Sequence, residues 1–212
     1  MQKNTKQRTE HPNDIETPPA LAEALYELVT SKYEINSILE PCSGSGALIQ
    51  PFIDNDFDDD LVIFDYEIKC DRDFFKEKNL IWVDLVLANA PFNGYYDSDP
   101  KQDSLKLFDI EKPKKKKKGK SEEWLPLKFL KHIFHLCGED VKMFYFCQSG
   151  FLLNMDYTAQ RRPFFESIVK HITGRIILPR DCFPDRKIWS EIIIFNMPKL
   201  RPCYFYGNGG II

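Results

Sequence analysis

The chain has 212 residues, a net charge of −3 and 43% hydrophobic residues, which suits one domain of ordinary size and excludes a globally basic nucleic-acid coat. No run approaches the roughly 18 apolar residues a membrane helix needs, and the polar N-terminus lacks the apolar centre of a signal peptide. Residence in the cytoplasm, without a membrane partner, is the expectation. The six cysteines (Cys42, Cys70, Cys137, Cys147, Cys182, Cys203) stand singly, with no CxxC pair and no histidine at ligand spacing, so neither a disulfide framework nor a metal site is expected.

Residues 1–14 read as a flexible polar leader to a domain spanning 15–212. Thr17-Pro18-Pro19 precedes a helix over 20–29, where Leu21, Ala24, Leu25, Leu28 and Val29 share a face; threonine before proline suits a cap-and-first-turn start. A short apolar run, 35–39, ends in Glu40-Pro41-Cys42-Ser43-Gly44-Ser45-Gly46, and a helix begins near Ala47. Strands are expected over 61–64, ending at Asp65-Tyr66-Glu67, and over 81–88, ending at Asn89-Ala90-Pro91-Phe92. A long polar loop, 93–123, carries Lys112, Lys114, Lys115, Lys116, Lys117, Lys118 and Lys120. Beyond it come a helix over 124–136, a strand over 141–147, a helix over 164–171, strands over 175–178 and 191–195, and a glycine-rich end. Alternating helices and near-continuous apolar strands argue for an α/β fold with a doubly wound, mainly parallel sheet, the last two strands pairing antiparallel at an edge.

Two turns carry chemistry. Glycines 44 and 46 let the backbone pass close to a ligand, and a carboxylate at Glu40 suits a cationic amine, such as the amino-acid end of S-adenosylmethionine, better than a pyrophosphate. Asp65 at a strand end is the type of residue that accepts hydrogen bonds from ribose hydroxyls. Asp73-Phe74 offers an acceptor and a ring for adenine. In Asn89-Ala90-Pro91-Phe92, the Asn89 side-chain oxygen and the Ala90 carbonyl can accept both hydrogens of an exocyclic amino group. That pulls a delocalised nitrogen toward tetrahedral geometry and stabilises charge developing on it during attack on a sulfonium methyl. Phe92 would stack on the base, worth roughly 1–3 kcal/mol.

In order and spacing, Glu40 to Gly46, Asp65, Asp73-Phe74 and Asn89 to Phe92 resemble the class I S-adenosylmethionine-dependent amino-methyltransferases. The Thr17-Pro18 helix ahead of the glycine turn resembles the adenine-N6 DNA methyltransferases in particular. The resemblance implies a seven-stranded Rossmann-like methyltransferase sheet with an antiparallel edge hairpin. It implies S-adenosylmethionine held by Thr17, Pro18, Glu40, Pro41, Ser43, Gly44, Gly46, Asp65, Tyr66, Asp73, Phe74 and Asn89. It implies a target adenine gripped by Asn89, Ala90, Pro91 and Phe92, with Phe183 packing beside the extruded base. The departure is Ala90, where the DNA enzymes usually carry proline; related enzymes acting on ribosomal RNA tolerate other residues there.

The activity implied is site-specific methylation of adenine N6 in DNA, in a restriction-modification setting, with Lys114 to Lys118 on phosphates and no metal. No large recognition domain is visible, so specificity is expected from the 93–123 loop, a specificity subunit or a homodimer partner. The alternatives are an rRNA or tRNA adenine-N6 methyltransferase, a protein glutamine-N5 methyltransferase, and a catalytically silent nucleic-acid-binding subunit. The lysine block argues against the glutamine enzyme.

Overall fold

A computed structural model describes residues 15–55, 60–67, 72–92, 95–96, 123–153, 161–183 and 187–212. The leader, most of the 93–123 loop and the whole lysine block lie outside the described residues.

Helix α1 (Pro19–Thr30) is followed by β1 (Ser37–Glu40), a short α2 (Gln50–Asp54), β2 (Val62–Asp65) and β3 (Leu85–Ala88). Two-residue strands β4 (Tyr95–Tyr96) and β5 (Glu123–Trp124) flank the long insert. Then come α3 (Leu125–Cys137), β6 (Lys142–Gln148), α4 (Arg162–Ile168), β7 (Ile172–Leu178), β8 (Ser190–Phe195), β9 (Cys203–Gly207) and β10 (Gly210–Ile211).

The strands form one sheet in the order β10-β9-β7-β8-β6-β3-β1-β2. β1, β2, β3 and β6 run parallel, and β8 is antiparallel to both β6 and β7. Leaving β1, the chain first adds β2 on one side and then β3 on the other, so the order reverses between β1 and β3. Such a switch point opens a crevice beyond the carboxyl ends of the strands, where α/β sheets bind ligands. Glu40 ends β1 and Asn89 follows β3, so both chemistry-bearing turns border that crevice.

Both faces of the sheet are covered, which is why the central strands read as unbroken apolar runs. On one face α1 contributes Leu21, Leu25 and Val29 to a core with Ile38, Leu85, Leu87, Phe144, Phe146 and Ile192. On the other, α3 contributes Leu130, Ile133 and Phe134 against Val86, Ala88, Met143, Tyr145 and Phe195. Each large side chain removed from water this way stabilises the fold by about 1.5–3 kcal/mol. At the opposite end from the crevice, Asp84 fixes the register of β1 and β3: its Oδ2 accepts from the Asn36 amide and the Ser37 hydroxyl, each at 3.0 Å.

The doubly wound, mostly parallel sheet agrees with the expectation, with four differences of detail. There are eight strands in this sheet among the described residues rather than seven, because the glycine-rich C-terminus forms β9 and β10. The antiparallel pair β7–β8 exists but lies inside the sheet: β8 is inserted between β6 and β7, and the outermost hairpin is β9–β10. Gly174 permits this extension, since a Cβ there would lie 2.9 Å from the Arg201 carbonyl oxygen. The strand expected over 81–88 begins only at Leu85, because the Ile81 amide donates to the Leu136 carbonyl at 2.9 Å and Trp82 stands 81% exposed. Finally, Thr17 does not cap α1; Pro18 occupies the cap position with no side-chain bond.

The ends of the long insert are not free. Tyr95 pairs with Trp124 and Tyr96 with Glu123, so the chain leaves and re-enters at one point a few residues past Phe92.

Candidate active site

The glycine turn is a tight, internally bonded loop. The Gly46 amide donates to the Ser43 carbonyl at 2.6 Å, the Ser43 amide to the Tyr66 carbonyl at 3.0 Å, and the Tyr66 amide to the Glu40 carbonyl at 2.9 Å. Gly44 and Gly46 have φ of +53° and +79°, a region closed to most side chains. Pro41 and Ser43 are buried, and Gly44 is exposed.

Glu40 is 2% exposed, and its Oε2 has no hydrogen-bond partner. Burial, with Asp65 and Glu67 adding like charge, pushes its pKa up to about 9. A buried carboxyl oxygen without a partner costs free energy in the free protein, and a cationic group that displaced the carboxyl proton and paired with the carboxylate would relieve it.

Asp65 ends β2, and Arg72 grips it with both guanidinium nitrogens, Nη2 reaching Oδ2 at 2.7 Å. Tyr66 is half-buried, its hydroxyl donating to Glu77 Oε2 at 3.1 Å. The Asp73 side chain accepts from the Phe75 amide at 3.0 Å and so caps a single 3-10 turn. Phe74, expected against an adenine ring, is 3% exposed. It lies parallel to Phe129 at 6.0 Å and edge-on to His132 and Tyr66, so its ring belongs to the α3-side core.

Asn89 has the most directed geometry. Its Nδ2 donates to the Ile15 carbonyl at 2.9 Å and to Thr17 Oγ1 at 3.0 Å, which uses both amide hydrogens. Its Oδ1 is buried without a partner. The carboxamide is therefore held in one orientation with its acceptor unspent. Thr17 is 6% exposed and sits at the start of α1, so the Thr17-Pro18 segment orients the Asn89 turn directly. Ala90 is buried and Pro91 half-buried. Phe92 is 2% exposed and meets Phe183, also 2% exposed, edge to face at 6.0 Å.

The structure thus gathers Thr17, Glu40, the glycine turn and Asn89 at the carboxyl edge, with Asp65, Tyr66 and Asp73 at its β2 side. A cleft of about 240 Å³ on the outer side of the glycine turn, between Pro19, Glu23 and Asp54, includes neither Glu40 nor Asn89. Among the described residues no cluster of three metal-ligating side chains forms, and no helix is long and apolar enough to cross a membrane.

No family model matches the sequence, and no curated protein does. Solved structures do. A Listeria monocytogenes protein assigned to the class I S-adenosylmethionine-dependent methyltransferases superposes with a TM-score of 0.60 at 18% identity, over 97% of this chain and 69% of that one. The methyltransferase subunit of a type I restriction-modification system from Streptococcus thermophilus matches with a TM-score of 0.60 at 17% identity, over 96% of this chain and 51% of that one. The modification subunit assigned to a type I restriction enzyme of Vibrio vulnificus gives 0.59 at 14%, over 93% and 48%. The fold is that of the class I methyltransferases. This chain spans about half the length of the two restriction-system subunits.

Two contributors to this methyltransferase-fold site escape a reading of the sequence. The Ile15 carbonyl is a backbone group, and no sequence pattern announces which carbonyl an amide will find. Arg72 sits in a connection; the one signal for its grip on Asp65 is a basic residue seven positions beyond an acidic strand end. Of the other basic residues, Arg161 lies over the Trp124 ring at 4.9 Å, and Arg180 donates to the Lys187 carbonyl at 3.4 Å.

Proposed function

We propose that this protein binds S-adenosylmethionine and methylates the N6 amino group of adenine in DNA. The observation that carries the reading is the Asn89 carboxamide: both hydrogens are engaged by Ile15 and Thr17 while a buried Oδ1 is left unpaired. An acceptor fixed this way is matched to an amino group. The second orphaned oxygen, Glu40 Oε2, suits the ammonium of the cofactor's amino-acid end, and the positive-φ glycines leave the turn without side chains where a ligand would approach.

Thr17, Pro18, Glu40, Pro41, Ser43, Gly44, Gly46, Asp65, Tyr66 and Asp73 are the residues proposed to hold the cofactor, with Phe74 supporting them from the core. S-adenosylmethionine supplies an electrophilic methyl carbon. The chain's own residues act on the nitrogen. Asn89 Oδ1 and the Ala90 carbonyl accept its two hydrogens, orient its lone pair and stabilise the positive charge that grows there. Pro91 stiffens the turn, and Phe92 with Phe183 flanks the base. The target adenine must leave its stack, which costs a few kcal/mol. No general base is required, because the spare proton can depart to water after transfer.

DNA is favoured by the Thr17-Pro18 arrangement, by the lysine block within the insert, and by the likeness to restriction-system subunits. The same likeness to subunits of restriction systems supports a specificity subunit or a second copy as partner. The test is transfer of labelled methyl to DNA, RNA and protein pools, followed by nucleoside analysis. N6-methyladenine from DNA is expected. Label in RNA alone would move the assignment to an RNA adenine enzyme, and label in protein alone would end it.

A further inference from the structure

Among the described residues three buried side-chain polar atoms have no hydrogen-bond partner: Glu40 Oε2, Asn89 Oδ1 and Ser190 Oγ. The first two belong to the site above. Ser190 is 0% exposed and has no structural explanation of its own. Native proteins leave few such groups, so each asks for a cause.

Its position supplies one. Ser190 opens β8 and pairs with Gln148 on one side and Leu178 on the other. Side chains alternate along strands, and Leu178, Phe146 and Ile192 all belong to the α1-side core, as do Phe92 and Phe183. Ser190 therefore faces the layer that holds the Phe92–Phe183 pair, and Asn89 faces the same layer, since its amide reaches residues just ahead of α1. Ala88 pairs with Tyr145, so Asn89 stands level with Phe146, one side-chain repeat short of Gln148 and Ser190 at the same edge of the sheet. Strand spacing of about 4.8 Å and a rise of about 3.3 Å per residue put Asn89 and Ser190 roughly 12 Å apart between Cα atoms. In length that span matches a purine with one hydrogen bond at each end and the reach of both side chains.

We infer that Ser190 is a base-reading residue of the acceptor pocket: its hydroxyl donates to a ring nitrogen of the purine whose amino group Asn89 holds. The inference rests on the adenine-N6 reading and extends it to how the base itself is recognised. The orphaned hydroxyl is then a donor kept unspent, as Asn89 Oδ1 is an acceptor kept unspent.

The experiment combines Ser190→Ala with base analogues. The site methylated by the wild-type protein is located on DNA, and duplexes are made with adenine or its 1-, 3- or 7-deaza analogue at that position. Ser190→Ala is expected to lower kcat/KM on adenine about tenfold, the weight of one neutral hydrogen bond. Its melting temperature should be equal or higher, since an unpaired buried hydroxyl is removed, and S-adenosylmethionine affinity should be unchanged. One deaza analogue should cost the wild type the same factor yet cost Ser190→Ala nothing more, the non-additivity of a shared contact. Losses that add for all three analogues, or unaltered kinetics in the variant, would overturn the role of Ser190 while leaving adenine methylation in place. A wild-type protein that methylates no adenine would remove both readings.

Discussion

Asn89 and Thr17 are 72 residues apart in the chain and joined by a 3.0 Å hydrogen bond from Nδ2 to Oγ1. With the Ile15 carbonyl, this bond fixes which way the carboxamide points. Thr17→Val is expected to lower methyl transfer about tenfold, the order of one missing hydrogen bond to a group that must be oriented, whereas Thr17→Ser should stay within about threefold. Steady-state kinetics on both variants checks this, with circular dichroism to verify folding.

Removing the acceptor itself should be more severe. Asn89→Ala is expected to reduce transfer by at least about 100-fold, in the range seen when a transition-state acceptor or donor is deleted. S-adenosylmethionine affinity should remain within a few-fold. Calorimetric titration alongside labelled-methyl assays separates the two, and parallel loss of both would mean that the turn is only structural.

Glu40 makes a pH-dependent prediction. Its pKa stands at about 9 in the folded protein against 4.5 for the free side chain, mainly because it is buried and secondarily because Asp65 and Glu67 lie near. The folded state therefore holds a proton that the unfolded state releases. The stability this proton confers is fully present below about pH 4.5 and is lost progressively as pH rises to about 9. The slope from one such group is at most about 1.4 kcal/mol per pH unit. Glu40→Gln should flatten the melting-temperature profile over that window and stabilise the cofactor-free protein near pH 8. Cofactor binding at pH 7 should release a proton from the wild type and none from the variant, read as buffer-dependent heats of binding.

The positive φ of Gly46, +79°, sets a local cost. Gly46→Ala should destabilise by about 1–2 kcal/mol, because an L side chain is strained there, even though its Cβ would meet only Ile49 Cγ1 at 4.0 Å. Chemical denaturation measures the loss, and weakened cofactor binding should accompany it.

Replacing Lys114, Lys115, Lys116, Lys117 and Lys118 by serine should reduce the salt dependence of DNA binding. Every phosphate that is no longer neutralised takes about 0.9 off the slope of log affinity against log salt. An unchanged slope would assign the block to solvent.

The apolar runs from Leu85 to Ala88, Met143 to Cys147 and Ile192 to Phe195 determined the central strands by themselves, because a strand buried on both faces has no polar positions to disguise it. Gly44 and Gly46 likewise marked their turn, since few other residues adopt that backbone. Which faces and partners those segments found was a matter of three dimensions. Phe74 went to the α3-side core, where neighbouring rings already filled its surroundings. Arg72 closed on Asp65, β8 slid inside its hairpin partner, and a backbone carbonyl at Ile15 finished the orientation of Asn89. Local pattern fixes what a segment can be, because propensity and periodicity act within a few residues. The choice among equally plausible contacts depends on packing and hydrogen-bond satisfaction across the whole fold, and that is where the unspent acceptors of Glu40 and Asn89 were decided.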